Sequence, residues 1–557
     1  MKPATQGIGI SKMSMIKTVL FKYVLGSSVV RVMILPIIVA LIVAGYGEIL
    51  ITQILNDIQE RADNTEIVNG KIRVYLIVAL SSYVLGLVSL FAMSSYVEAI
   101  CRDYIIDLYK EHICMSFLHF KKIGVGDMIS FMNRKVLSLR WILESTIKCF
   151  IMSLCCIIIT MIKIRVGVES YYGLLMGGVV LAYGVCVIII NHYRNTIRLK
   201  MNREIDMTER KRYNSILNYD IIKSYNNEEL EADELYKRMG AETRYGKMYW
   251  SWLQAGNFIG ENIFIMAMFI MTIQFSNGDA KNISFKDYTL IISLSNQLRM
   301  YCVDISNSLV MILLNLTNIS QNRAEATKLD AGEPGYYKKD FETEIKIEGL
   351  EISIGDIKLL RNVDMRIRRG EKIGISGDNG GGKTSFARAL LGFLDYSGSI
   401  LIDGIELSTL NKEGLRSMIS YSPQESQLFN KSVLSNIRDG NKYLSDEEIV
   451  EYCKRYGMDE VFRNLSDGYQ TSVGDGGNRL SGGQRQKVNL MRAVVKDAPI
   501  YIFDQVTSHL DKESENAIVD MIMKNLSDKT VIMIMQNSGL LSKFDRVYYF
   551  SNGMISN

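Results

Sequence analysis

The chain carries almost no net charge for its length: 64 Lys and Arg stand against 60 Asp and Glu over 557 residues, +4 in all. A balance that small offers nothing to a polyanion, so no nucleic-acid partner is expected. Paired cysteines are missing too. Cys101, Cys114, Cys149, Cys155, Cys156, Cys186, Cys302 and Cys453 fall mostly inside apolar runs, without metal-ligand spacing, and read as small buried hydrophobes rather than a disulfide framework. Acidic residues are absent from Met1 to Val30, and long apolar runs are absent after about residue 320.

The present features complement those absences. A chain this long exceeds one hydrophobic core, so two domains or more are expected. The first is a membrane domain. Val74–Val97 and Tyr171–Ile190 are free of charge and long enough for a hydrocarbon core of roughly 30 Å. Val29–Ile51 (with Arg31 and Glu48), Cys149–Ile162, Phe258–Phe275 (with Glu261) and Tyr288–Leu316 (with Arg299 and Asp304) bring the expected spans to six. The fourth of these six in sequence is Tyr171–Ile190; the third is short unless Thr146 to Lys148 belongs to it, with Lys148 snorkelling. Charges inside a span face protein or a wet cavity.

Two polar stretches, Glu98–Glu144 and His192–Trp250, are far longer than turns and carry charges at helical spacing, so membrane helices are expected to continue beyond the bilayer on one side. The acid-free start, with Lys2, Lys12, Lys17 and Lys22, belongs on that side by the positive-inside tendency, or serves as an organelle-targeting segment. The expected organisation is a basic segment 1–28, a six-helix membrane domain 29–322, a linker 323–344 punctuated by Gly332, Pro334 and Gly335, and an α/β domain 345–557.

"GDNGGGKT", Gly377 to Thr384, follows a strand-like "EKIGIS" and precedes a helix-like "SFARALLGFL". That context makes it a phosphate loop: Gly377, Asn379, Gly380 and Gly382 let backbone N–H groups curl round phosphates, Lys383 reaches the outer phosphates, and Thr384 with Ser385 opens the helix, the Thr384 hydroxyl ligating magnesium. "RLSGGQRQK" opens a second helix, where Ser481, Gly482, Gly483 and Gln484 offer donors to an anion. About twenty residues on comes "YIFDQVTSHLD".

Phosphate loop, "LSGGQ" and "YIFD" in this order resemble the ATP-binding cassette family, and the resemblance covers nearly the whole chain. It implies an all-α six-helix transmembrane domain of the type IV exporter kind followed by an α/β phosphate-loop nucleotide-binding domain, with ATP and Mg2+ as cofactors. "YSPQESQLFNKSVLSNI" is similar to the glutamine loop, which implies Gln424 near magnesium; Asp504 matches a magnesium-associated carboxylate and Asp511 the dimer-contacting loop. Thr384, Gln424 and Asp504 are thus the implied metal residues. In this family two cassettes sandwich two ATPs, so one membrane domain and one cassette imply half a transporter, with membrane lipid around it.

"YRNTIRLKMNREIDMTERKRYNSILNYDIIKSYNNEE" resembles mitochondrial half-transporters of the B subfamily that export glutathione-linked sulfur compounds for iron–sulfur assembly. The resemblance implies a small thiol or glutathione-type substrate held at Arg194 and Arg198, and a mitochondrial or mitochondrion-derived inner membrane. Spaced i, i+4, the two arginines share a helix face and suit an anion clamp; interfacial anchoring is the other reading. Asn257, Asn262 and Arg299 are further pocket candidates, although the proline of the family's sixth span is missing here.

Three departures touch catalysis. Gln505 stands where working ATPases of the family have the glutamate that orients and deprotonates water, which implies a loss on the order of 10²–10⁴ in rate. Gln536 replaces the switch histidine, and Ile354 replaces the aromatic that stacks on adenine, forfeiting about 1–3 kcal/mol. The phosphate loop and signature are intact. The expectation is a hydrolysis-impaired half whose Ser481–Gln484 segment completes the ATP site of a partner, a heterodimer being preferred to a homodimer. A slow homodimeric exporter and a non-transporting, ATP-binding regulatory membrane protein remain the other readings.

Overall fold

The computed structural model describes Lys22 and residues 28–60, 65–167, 170–277, 284–320, 335–355, 357–424, 427–508, 512–536 and 538–556. The chain divides into two compact units: Met1–Ile113 with Ile123–Ala326, and Cys114–Lys122 with Thr327–Asn557.

The first unit is helical. Its long members are α1 (Ser28–Glu60), α2 (Thr65–Ile113), α4 (Val125–Glu144), which passes through a π-helical turn Ser145–Ile151 into α5 (Met152–Gly167), α6 (Ser170–Leu217), α7 (Glu228–Ser276) and α8 (Phe285–Ser320); a short α3 (Phe117–Ile123), between α2 and α4 in sequence, belongs to the second unit up to Lys122. Among the described residues, five helical stretches are long and apolar enough to cross a membrane: Ile34–Ile58, Glu66–Ile113, Met128–Val166, Tyr171–Leu217 and Glu228–Ser276. The sixth expected span is also a continuous helix, α8, but Asn296, Gln297, Arg299, Asp304 and Asn307 dilute its hydropathy. The protein is a multi-pass membrane protein.

Helices α2, α6 and α7 have 49, 48 and 49 residues. At 1.5 Å per residue each is about 70 Å long, more than twice the hydrocarbon thickness, so each continues well outside it. Small residues let helices approach: a Cβ on Gly47 would meet the Ser82 hydroxyl at 1.8 Å, and one on Gly260 the Tyr183 ring at 2.2 Å. Outward-facing Leu76, Ile77, Leu80 and Phe91 on α2 and Leu174, Leu181 and Ile188 on α6 are exposed, as lipid-facing side chains must be.

The second unit is α/β. A six-stranded sheet runs β10-β9-β3-β8-β7-β6, with β9, β3, β8, β7 and β6 parallel: β3 is Lys372–Gly377, β6 Ile419–Ser422, β7 Ile500–Asp504, β8 Thr530–Ile534, β9 Arg546–Ser551 and β10 Met554–Ser556. β7 and β8 are buried at every position, as parallel strands covered on both faces are, which explains why "IYIFD" and "TVIMI" are continuous apolar runs rather than alternating ones. An antiparallel sheet, β2-β1-β4-β5, is built from β1 (Glu344–Ile354), β2 (Ile357–Arg368), β4 (Ser397–Ile402) and β5 (Ile405–Glu406). Ahead of β1, Phe341 is already buried in the core, and Tyr336 bridges to Leu410, so part of the sequence-level linker is woven into this unit. Residues 321–334 and Asp511 lie outside the described residues.

Candidate nucleotide site and membrane polar cluster

Ligands of open parallel sheets gather at the carboxyl ends of the strands, and the phosphate loop leaves β3 at that end. Gly377 sits at φ +130°, and a Cβ there would lie 2.0 Å from the Phe550 carbonyl oxygen; Gly382 sits at φ +97°, with Leu360 2.4 Å from its would-be Cβ. Only glycine fits either place. Helix α9 (Lys383–Leu390) then begins without a side-chain cap, so the backbone donors of its first turn remain for an anion. Asn379 and Gly380 are exposed at the loop's tip, and Ser385 is half-buried.

Lys383 is buried, and its ammonium donates to the carbonyls of Gly377 and Asp378, both at 2.7 Å, lying across the loop it would serve. Burial draws its pKa down, against the Asp378 and Asp504 charges. Asp504, fully buried at the end of β7, accepts from Thr384 Oγ1 at 3.3 Å and from the Tyr421 hydroxyl at 3.3 Å. Burial pushes its carboxyl up; those two hydrogen bonds and the Arg388 and Lys383 charges oppose it. A hydroxyl beside a carboxylate is the hard-oxygen pairing that suits magnesium, and the uncapped helix with its lysine suits a nucleotide's phosphates.

Next to Asp504, Gln505 adopts φ +52°, and its side chain is nearly enclosed. Its Oε1 accepts from Gln424 Nε2 at 2.9 Å and from Gln536 Nε2 at 3.0 Å. Residues 81 and 31 positions away in sequence thus meet on one oxygen. Ile354, at the end of β1, is 42% exposed.

Ser481 caps α10 (Gly482–Val494) in a capping box: its hydroxyl accepts from the Gln484 N–H at 3.2 Å, and Gln484 Oε1 accepts from the Ser481 N–H at 2.9 Å. Ser481 is exposed, with Gly482, Gly483 and Gln484 half-buried behind it. Beneath, Asn489 donates to the Ser422 hydroxyl and Gln486 to that of Ser508, tying α10 to the ends of β6 and β7.

In the helical unit Arg194 and Arg198 are both buried. The Arg194 guanidinium lies 4.3 Å over the Tyr249 ring and donates to Asn191 Oδ1 at 3.0 Å, while its Nε and Nη2 have no partner. Asn257 donates to Asn307 at 3.2 Å, and Arg299 pairs with Glu261 at 3.2 Å while also holding Asn296. Asn262 is elsewhere: its amide donates to the Phe258 carbonyl, and it borders an apolar groove with Val179, Ile259 and Met266. Five residues along a helix from Asn257, it points well away from that face.

Sequence reasoning passed over Tyr421, Arg388 and Phe117. The aromatic run "FLHF" inside a charged stretch was the available signal for Phe117: the ring stacks on Phe393, 5.0 Å between centroids at 13°, within the second unit.

A phosphate loop on β3, a buried carboxylate on β7, one strand further along the sheet beyond β8, and a separately capped "SGGQ" helix, in a chain with membrane-spanning helices, define an ATP-binding cassette membrane protein. The family model described as ABC transporter matches residues 360–508, and that of the ABC transporter transmembrane region matches residues 30–302, together well over half of the chain. The chain belongs to the ABC transporters and has the exporter half-transporter arrangement, a helical transmembrane domain followed by an ATP-binding domain. The mitochondrial iron-sulfur clusters transporter ATM1 of Debaryomyces hansenii is 30% identical over 415 residues, covering 69% of this chain and 58% of its own. Heavy metal tolerance factor 1 of Caenorhabditis elegans is 25% identical over 441 residues, 77% of this chain and 55% of its own. The chain therefore spans little more than half the length of these relatives. The structure of a bacterial Atm1-family ABC exporter with ATP bound matches with a TM-score of 0.84 at 21% identity, over 97% of this chain and 95% of that one, which establishes the fold.

Proposed function

We propose that this chain is the hydrolysis-impaired half of a dimeric, ATP-dependent exporter of small anionic thiol compounds of the glutathione or iron–sulfur precursor class. The three-glutamine cluster carries the reading of the nucleotide site. An amide oxygen has two lone pairs, and both on Gln505 are engaged by Gln424 and Gln536, so Gln505 cannot take a proton from water. Lys383 and the first turn of α9 bind the triphosphate; Thr384 and Asp504, with Gln424 nearby, hold Mg2+, which supplies charge neutralisation at the phosphates. The capping box keeps the signature helix intact, so Ser481 to Gln484 can serve a partner's ATP.

A second copy or a related half is supported by an apolar surface at and just beyond the end of α6. Ile216 and Leu217 on its last turn, some 70 Å along the helix from its start, and Tyr219, Ile221 and Tyr225 in the short helical segment that follows are each more than half exposed. The retained signature beside a disabled base favours a heterodimer, the other half contributing the glutamate.

The cargo class rests on Arg194: a buried guanidinium with two unpaired nitrogens is costly unless an anion completes it. The mitochondrial location in the name of the Debaryomyces hansenii relative supports a mitochondrial or mitochondrion-derived inner membrane for this chain.

The test is ATP hydrolysis by the purified chain in lipid against Lys383→Ala, with ATP binding measured in parallel. ATP bound without Lys383-dependent turnover is the expected result; brisk turnover would make the chain a self-sufficient homodimeric exporter.

A further inference from the structure

A groove of about 420 Å3 in the second unit shares no residue with the phosphate loop. Its walls are the helix Asp446–Arg455 with the turn that follows it, α10, and the helix Lys512–Asn525. Lys454, Arg455, Lys487 and Lys524 line it, and among the described residues that line it there is no carboxylate. Its floor is apolar, with Ile518 buried and Met521 half-buried. Elsewhere in this unit Lys431 pairs with Asp439 at 3.2 Å, Arg463 with Asp459 at 3.0 Å and Lys543 with Asp520 at 2.6 Å. In the groove, Lys487, half-buried on α10, and exposed Lys524 have no ion-pair partner among the described residues. Lys454 reaches Glu451 at 3.9 Å, and the Arg455 guanidinium lies 5.7 Å from the Tyr452 ring. Asp497 and Asp528, the acids beside Tyr456, are taken by Lys529 at 3.0 and 3.8 Å.

We propose that this groove is a second anion site, built for a small polyphosphate and separate from the phosphate loop. A cleft lined by charge of one sign focuses the field within it, and four cations with no carboxylate among them repel one another until an anion arrives. A single phosphate carries only about −1.5 to −2 at neutral pH, so two or more phosphates are needed to balance the four. The planar guanidinium of Arg455 can take two oxygens of one phosphate, while the lysines act as point charges on flexible stems. The volume falls within the range of small-molecule sites, and the apolar floor at Ile518 and Met521 can receive a base or another organic body. Lys487 stands three residues beyond Gln484 on α10, so the occupant joins that helix to Lys512–Asn525. The site depends on neither hydrolysis nor cargo, and it does not rest on the half-transporter reading.

The test uses the full chain in lipid, carrying Lys383→Ala and kept free of Mg2+ so that the phosphate loop does not compete. Binding of inorganic tripolyphosphate and of ATP is measured by titration calorimetry. Tripolyphosphate is expected to bind, with an affinity that weakens as salt rises. Adding Lys487→Gln and Lys524→Gln together is expected to lower that affinity at least about tenfold, the equivalent of one charge-assisted hydrogen bond. Lys524→Gln alone, at an exposed position, is expected to give a smaller loss and covers the case in which the double variant does not fold. ATP bound as well, and weakened by the same changes, supports the groove and makes a nucleotide its occupant; tripolyphosphate bound alone supports it as a site for simple polyphosphates. Failure of both ligands to bind, or binding that neither glutamine change weakens, overturns the site.

Discussion

Gln536 donates its side-chain amide to Oε1 of Gln505 at 3.0 Å. Two of the three positions that depart from the working ATPases are therefore one structural unit, with Gln424 as its third member. A glutamate at 505 would keep both amide contacts and still have an unused oxygen, since a carboxylate offers about four acceptor positions to an amide's two. Gln505→Glu is accordingly expected to raise Lys383-dependent phosphate release in lipid by roughly 10²-fold, the low end of what a general base contributes. The two amide donors would hold that carboxylate's basicity down, so adding Gln536→His should raise the rate again. A rate indifferent to both changes would mean that the base is not what limits turnover.

Ile354 forms no aromatic platform, and at 42% exposure it leaves room for one. Ile354→Tyr is expected to tighten ATP binding by about 1–3 kcal/mol, the value of one base–aromatic stack. Tripolyphosphate, which has no base, should bind both forms equally, and comparing the two ligands by titration separates stacking from a general change in the loop.

Gly377 tests the loop's geometry. An added methyl would collide with backbone, not with a flexible side chain, and φ +130° is itself unfavourable to any L-residue. Gly377→Ala should cost roughly 1–3 kcal/mol from backbone strain alone and lower the thermal unfolding midpoint of the cassette. Gly380, also at positive φ but with open space around its would-be Cβ, should cost less on the same substitution.

The parts of this site that could be read from sequence are those written by local spacing. Gly377 to Thr384 and Ser481 to Gln484 are contiguous, and their glycines and caps answer to one strand and two helix starts. Gln505 and Gln536 were legible as departures, but their shared hydrogen bond was not, because parallel β7 and β8 bring their carboxyl ends together only after the sheet forms. The same holds for Phe117, which lies in a charged stretch that helical spacing alone assigns to the ends of α2 and α4. Polar residues in the membrane helices divide differently: Asn257 and Asn262 look equivalent in sequence, yet their spacing of five sends one to Asn307 and the other to an apolar groove. The π-helical turn at Ser145–Ile151 had no sequence signal; α4 and α5 continue through it, so the third expected span, cut short in sequence by Lys148, is part of a longer helix.

Arg194 sets stability against function. Its Nε and Nη2 are buried without partners, and each such group costs about 1–3 kcal/mol relative to a satisfied one. Tyr249 compensates in part, through a cation–π contact at 4.3 Å. Arg194→Met keeps length and packing against the ring and removes the unpaired donors, so the thermal midpoint of the protein in lipid should hold or rise. Binding of a glutathione-type anion should fall at least about tenfold, the equivalent of one charge-assisted hydrogen bond. ATP affinity should not follow it, because Arg194 lies in the helical unit and Lys383 in the other. A variant that loses stability and keeps the anion would make Arg194 a structural anchor and move the cargo site to the Glu261–Arg299 cluster.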